Sequence, residues 1–136
     1  MKKKILFICT HNSARSQIAE GLTNHFFGDK WEGFSAGTEK TFVKPMAIKA
    51  LKKIGIDISH HQSKLSTEFQ GETFDMVVTV CDNAKETCPF FPGAKTRIHR
   101  SFIDPSDTKG SNEDVLEAFC RTREEIHKWL KDFLHN

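Results

Sequence analysis

With 136 residues, 38% of them hydrophobic and 28% charged, the chain has the size and make-up of a single soluble domain, 1–136. A net charge of +2 excludes a broadly basic surface, so neither nucleic acid nor a membrane is an expected partner and any anion site must be local. No stretch approaches the roughly 20 apolar residues of a membrane span. Lys2-Lys3-Lys4 followed by Ile5–Cys9 resembles the start of a secretion signal, yet the apolar run stops at Thr10, short of the ~7–15 residues such a core needs. A cytoplasmic protein is expected. There, four cysteines point to catalysis, metal binding or inert packing and not to a static disulfide framework.

The elements follow in chain order. Lys4–Ile8 is a short, continuously apolar run of the kind buried on both faces of a sheet. After a polar loop, Ser16–Phe27 carries Ile18, Ala19, Leu22 and Phe26 on one helical face, and Gly28 stops it. Gly33–Ala36 is a second strand. Lys44–Ile54 is a helix with Pro45 near its first turn, Met46, Ile48, Ala50, Leu51 and Ile54 mostly facing inward, and Gly55 at its end. Phe74–Val80 is the clearest buried strand and Lys95–His99 a weaker one. Asn112–Leu134 closes the chain as an amphipathic helix with Val115, Leu116, Phe119, Ile126, Trp129, Leu130 and Phe133 inside. Strands alternating with helices predict an α/β domain with a parallel sheet and right-handed crossovers. Ligands of such folds sit beyond the carboxyl ends of the strands. Cys9, Cys81 and Asp104 follow three of those strands, so the fold should gather them at one edge.

The segment Cys9-Thr10-His11-Asn12-Ser13-Ala14-Arg15-Ser16 joins a strand to a helix with the spacing Cys-x5-Arg-Ser. A loop entering a helix can curl its backbone N–H groups around a tetrahedral oxyanion. The helix dipole and the forked guanidinium of Arg15 add positive potential. Cys9 lies beneath the anion, where the same field favours the nucleophilic thiolate. Ser16 is near enough to donate a hydrogen bond to it, and Asn12 tolerates the left-handed backbone that a tight curl needs. The competing reading is a buried strand-end thiol beside an unrelated helical arginine; the placement between strand and helix argues against it. The Gly-Lys-Ser/Thr of a nucleotide-binding loop is absent, so ATP and GTP are not expected ligands.

This loop resembles that of the low-molecular-weight protein tyrosine phosphatase superfamily. The resemblance continues through Phe34-Ser35-Ala36-Gly37-Thr38, Gly55-Ile56-Asp57-Ile58-Ser59-His60-His61, Asp75-Met76-Val77-Val78-Thr79-Val80 and Asp104-Pro105, in the same order. It implies a four-stranded parallel sheet flanked by helices, a Rossmann-like three-layer domain with the anion loop after the first strand. It also implies that Asp104 is the general acid that protonates the leaving oxygen. Taken alone, Asp104-Pro105 would read as a turn.

Cys81 and Cys88-Pro89, with six residues between the two cysteines, look like the pair of the thioredoxin-coupled arsenate reductases within that superfamily. Its phosphatases ordinarily lack such a pair and often carry Asp-Pro-Tyr; here Ser106 follows Pro105 and the chain has no tyrosine. The resemblance implies that Cys9 attacks arsenate, that a transient Cys9–Cys81 disulfide releases arsenite, and that a Cys81–Cys88 disulfide is then reduced by thioredoxin. No bound cofactor is implied, and phosphate or sulfate can occupy the arsenate site. The alternative is a phosphatase that hydrolyses phosphate monoesters through a Cys9 thiophosphate. If residues 82–87 were helical, Cys81 and Cys88 would stand about 10 Å apart along the axis. A disulfide needs Cα atoms within roughly 7 Å, so the segment would have to unwind.

The remaining candidates are read as structural. Cys120 is a packed or half-exposed thiol of the last helix, His11 a solvent-facing loop residue, and Lys2–Lys4 a solvated strand cap. His60, His61 and His99 show no metal-ligand spacing with the cysteines, so no metal is expected. Ala14 stands where many relatives have a second cysteine. Some reductases bind potassium near residues resembling Asn12, Glu20 and Ser35; Lys64 replaces the aspartate expected there, so its ammonium would stand in for the ion. A monomer is expected.

Overall fold

The computed structural model describes residues 2–81 and 91–134. Four strands, β1 (Lys3–Cys9), β2 (Trp31–Gly37), β3 (Phe74–Thr79) and β4 (Ala94–His99), form one parallel sheet in the order β2-β1-β3-β4. Helices α1 (Arg15–Phe26) and α2 (Pro45–Lys52) follow β1 and β2, and α3 (Asn112–Leu134) closes the chain. This is the expected four-stranded parallel α/β fold of the low-molecular-weight phosphatase type.

β1 lies between β2 and β3, which explains its unbroken apolar run: Ile5, Leu6, Phe7 and Ile8 are each 0% exposed. Burying such side chains stabilises the fold by about 1.5–3 kcal/mol each. Ile5, Phe7, Val78 and Val80 join the apolar residues of all three helices in the larger core. Leu6, Ile8, Ala36, Phe74, Val77 and Phe91 form a smaller one with Phe34 and Phe69. The alternation along β1 thus feeds both faces of the sheet.

Element ends differ from the sequence reading for local reasons. α1 begins one residue earlier, at Arg15, and its expected inner-face residue Phe26 is 42% exposed, stacked on the ring of His127. β2 starts at Trp31, two residues before the expected strand, with exposed Glu32 between buried Trp31 and Gly33. α2 stops at Lys52 because Gly55 takes φ +83 and lets Ile56 N–H return to Leu51 O at 3.0 Å. β4 is an edge strand with exposed Lys95, Thr96 and Arg97, hence its weak signal. Two short 3-10 turns complete the elements: Ser66–Phe69, which the sequence does not announce, and Pro105–Asp107, the turn that Asp104-Pro105 suggests. Lys4 is more than a solvated cap: its N–H reaches Asp75 Oδ2 at 2.7 Å and its ammonium lies 4.9 Å from the centre of the Phe74 ring.

Candidate active site

The loop between β1 and α1 is held from behind by its carbonyls. Thr10 O accepts Glu39 N–H at 3.0 Å and the Thr38 hydroxyl at 3.3 Å. His11 O accepts the hydroxyls of Thr41 (3.0 Å) and Ser63 (3.1 Å), and Asn12 O accepts Gln17 Nε2 at 3.2 Å. Ser13 O takes Lys44 N–H and Ala14 O takes Ile18 N–H, both at 2.8 Å. In a planar trans peptide the N–H points opposite to the carbonyl that precedes it. Tying back five successive carbonyls therefore turns the N–H groups of residues 11–15 toward the other side, the concave face of the loop. One of them is seen there: Asn12 N–H lies 3.2 Å from Cys9 Sγ.

The curl requires one left-handed residue, and Asn12 supplies it at φ 51. Its wholly buried side chain is held at both ends: Oδ1 accepts Lys64 N–H (2.7 Å) and Gln17 Nε2 (2.9 Å), and Nδ2 donates to Ser16 Oγ (2.9 Å). Ser16 Oγ in turn lies 2.9 Å from Cys9 Sγ. The helix opens without a side-chain cap, because Ala14 has none to offer, and no acidic residue occupies its first turn. Its positive end is left to the loop. Gly37 packs directly on the back of the loop, where a Cβ would fall 2.6 Å from Thr10 O and 2.9 Å from Asn12 N.

Arg15, 2% exposed, donates from Nη1 to Phe102 O (3.3 Å) and points Nη2 at Asp104 Oδ2 (3.5 Å). Asp104 itself opens the Pro105–Asp107 turn, accepting Ser106 N–H on Oδ1 at 3.0 Å. A cavity of about 380 Å³ beside these residues is lined by His11, Ser13, Thr41, Lys44, Asp104 and Ser106, among others. The structure thus brings Cys9, Arg15 and Asp104 to one edge.

Cys81 is wholly buried just beyond β3. Ile8 pairs with Thr79, and Val80 N–H bonds to Ile8 O, so the chain carries Cys81 past the same sheet edge as Cys9. The Ser101 hydroxyl donates to Cys81 O at 3.2 Å. Cys88 and the spacer from Asp82 to Thr87, with its expected unwinding, lie outside the described residues. Cys9 and Cys120 are free thiols, the latter half-buried on α3. His11 is an exposed loop residue, 3.6 Å from Glu39.

Behind the loop, Gln17 is fully buried and gives its amide N–H groups to Asn12 and to Gln62 O. Its Oε1 consequently faces His61 Nδ1 at 3.0 Å, which makes that nitrogen the donor. His61 Nε2 lies 3.7 Å from Glu20. Burial holds the His61 pKa below the ordinary histidine value, with Glu20 pulling the other way. Glu20 also accepts the Ser35 hydroxyl at 2.5 Å and sits 3.6 Å from Lys64 Nζ, an ion pair behind the loop. Among the described residues, no group of three or more His, Cys, Asp or Glu side chains is arranged to hold a metal ion. Sequence reasoning missed Gln17, Thr41, Ser63 and Gly37. Only Gln17 had a signal, an amide on the apolar side of α1.

A loop that presents backbone N–H groups and an arginine to an oxyanion above a cysteine, with an aspartate opposite, defines a cysteine-dependent oxyanion site. The low molecular weight phosphotyrosine protein phosphatase model matches residues 4–136, and the chain belongs to that family. It is 45% identical to the arsenate reductase of Halalkalibacterium halodurans over 132 residues, covering 97% of this chain and 95% of that one. Its fold is similar to that of an arsenate reductase solved in a phosphate-binding state, with a TM-score of 0.83, 28% identity and 99% and 98% of the two chains covered. It is also similar to a thioredoxin-dependent arsenate reductase of Corynebacterium glutamicum, with a TM-score of 0.61, 26% identity and 96% and 62% covered. Among the described residues, no helix is long and apolar enough to cross a membrane.

Proposed function

We propose that this protein reduces arsenate to arsenite through Cys9, Cys81 and Cys88. The observation that carries the reading is the place of Cys81, which leaves β3 at the edge where β1 delivers Cys9. A phosphatase needs nothing there, whereas a reductase needs a second thiol. The similarity to proteins named arsenate reductase supports the same reading.

Arsenate occupies the concave face of residues 10–16, its oxygens held by loop N–H groups and by the fork of Arg15. The Cys9 thiolate attacks arsenic while Asp104 gives a proton to the departing oxygen, which leaves as water. The Cys81 thiolate then attacks the Cys9 sulfur. A disulfide forms, the sulfur–arsenic pair passes to arsenic, and As(V) becomes As(III) with both electrons supplied by the two thiols. Cys88 attacks Cys81 and restores the Cys9 thiolate, leaving a Cys81–Cys88 disulfide for a thioredoxin dithiol to reduce. The protein is a cytoplasmic monomer in this reading, with no bound cofactor or metal; phosphate and sulfate compete for the loop.

The test is arsenate-dependent NADPH consumption with thioredoxin and thioredoxin reductase, for wild type and Cys88→Ser. Steady turnover by wild type with at most one turnover by the variant is expected. No arsenate-dependent turnover, alongside strong hydrolysis of an aryl phosphate, would overturn the reading in favour of a phosphatase working through a Cys9 thiophosphate.

A further inference from the structure

The two oxygens of Asp104 live in different surroundings. Oδ1 accepts the Ser106 backbone N–H at 3.0 Å and the Ser106 hydroxyl at 2.5 Å. Oδ2 is turned inward, 3.5 Å from Nη2 of Arg15. Pro105 starts the turn, and Asp107 N–H closes it onto Asp104 O at 3.2 Å, so Ser106 is fixed relative to the carboxyl. The Asp104 side chain is 19% exposed and its arginine neighbour 3%.

A carboxylic acid can deliver a proton only from the oxygen that carries it. A carboxyl oxygen has two lone-pair sites, and on Oδ1 both are taken, by the Ser106 N–H and hydroxyl, so a proton there must displace one of the two donors. Oδ2 meets a single and longer donor contact, from Arg15 Nη2 at 3.5 Å, so the proton is steered to Oδ2, the oxygen beside the arginine that grips the oxyanion. We infer that Ser106 is a positioning residue for the general acid: its N–H and hydroxyl together reserve Oδ1 and direct the transferable proton of Asp104 to Oδ2, facing the bound oxyanion. The hydroxyl also limits rotation of the carboxyl, since an oxygen held by two donors cannot exchange places with its twin without losing both. This inference rests on the reading of Asp104 as the proton donor.

The test is a double-mutant cycle of Ser106→Ala and Asp104→Asn, with Ser106→Thr as the conservative variant. It is read as the single-turnover rate of arsenite release from the reduced protein across arsenate concentrations. Ser106→Ala should slow release about tenfold, the effect of losing one hydrogen bond to a charged group, with half-saturation unchanged. Ser106→Thr should restore the rate, and Ser106→Ala should have no further effect on Asp104→Asn. An equal loss in both backgrounds, no loss in either, or a shift in half-saturation alone would overturn the inference. If wild type releases no arsenite, the reductase reading fails, and the cycle is read on 4-nitrophenyl phosphate hydrolysis. Independently of activity, the Ser106 amide proton resonance should follow the titration of the Asp104 carboxyl and be flat in Asp104→Asn; an unresponsive resonance in wild type also overturns it.

Discussion

The Ser16 hydroxyl lies 2.9 Å from the Cys9 sulfur while its oxygen accepts Asn12 Nδ2, also at 2.9 Å. With the amide supplying a proton from one side, the hydroxyl hydrogen is free to turn to the sulfur, where it stabilises a thiolate. Hydrogen bonds to charged groups contribute about 1.5–3 kcal/mol. Ser16→Ala should therefore lower kcat/KM for arsenate by at least about tenfold, and it should also cost about 1–3 kcal/mol of stability because the buried Asn12 Nδ2 loses its acceptor. Thermal melting beside steady-state kinetics separates the two effects. Activity within twofold of wild type would mean that the Ser16–Cys9 contact is incidental.

Gly37 is required by closeness and not by backbone angle. A Cβ there would meet Thr10 O at 2.6 Å, with Asn12 N and Cys9 O each at 2.9 Å, all of them backbone atoms that cannot swing aside. Gly37→Ala must push the loop forward and spoil the convergence of its N–H groups. Overpacking of this kind costs about 1–3 kcal/mol. Phosphate should raise the melting temperature of wild type, and that rise should be largely lost in the variant, because stabilisation by a ligand increases with its affinity. An undiminished phosphate shift would show that the loop tolerates the displacement.

Much of this site was legible because its parts are contiguous. The spacing from Cys9 to Ser16, set between an apolar run and an amphipathic helix, carries the nucleophile, the left-handed Asn12 and the arginine in one stretch. What was not legible is what fixes the loop. Thr38, Thr41 and Ser63 bind its carbonyls from 28, 30 and 52 residues away; Thr38 ends a family-like segment, but no spacing or pattern marks any of the three as a partner of the loop. Helical periodicity places Phe26 inside, but it is the last residue of α1 and is 42% exposed, its ring stacked on His127 of α3. β4 was weak because an edge strand buries so little.

Arg15 is held by its geometry as much as by its charge. It is 2% exposed, donates to Phe102 O and approaches Asp104. Lysine keeps the charge but loses the planar fork that binds two oxygens together. Arg15→Lys should lower kcat/KM on the order of a hundredfold, about 3 kcal/mol, the scale of losing a pre-organised donor to a developing oxyanion. A simpler check uses iodoacetamide. Phosphate should protect Cys9 of wild type from alkylation, and should fail to protect Arg15→Lys at the same concentration. Equal protection would place the anion's main contacts on the backbone alone.

The buried histidine behind the loop sets how stability responds to acid. Burial lowers the His61 pKa from its ordinary 6.5, with Glu20 opposing and with His60 and Lys64 adding to the shift. His127 is lowered too, again by burial first. Below about 6.5 the unfolded chain binds a proton that the native imidazole refuses, so stability is full above that value and falls as pH drops through the native pKa. Asp57 and Asp75 act lower on the scale. Their pKa values are lowered by hydrogen bonds, from Ser59 and from Lys4 N–H respectively, so their contribution is present above about 3.8 and is lost as pH falls below it. The melting temperature should thus decline between pH 7.5 and 5.5 and again below pH 4. His61→Gln offers an amide to Gln17 without a titrating ring, and it should flatten the first decline, leaving the part due to His127. Asp75→Asn should reduce only the second. A first decline as steep in His61→Gln as in wild type would mean that His61 accepts its proton in the native state at no cost, with Glu20 compensating fully for burial.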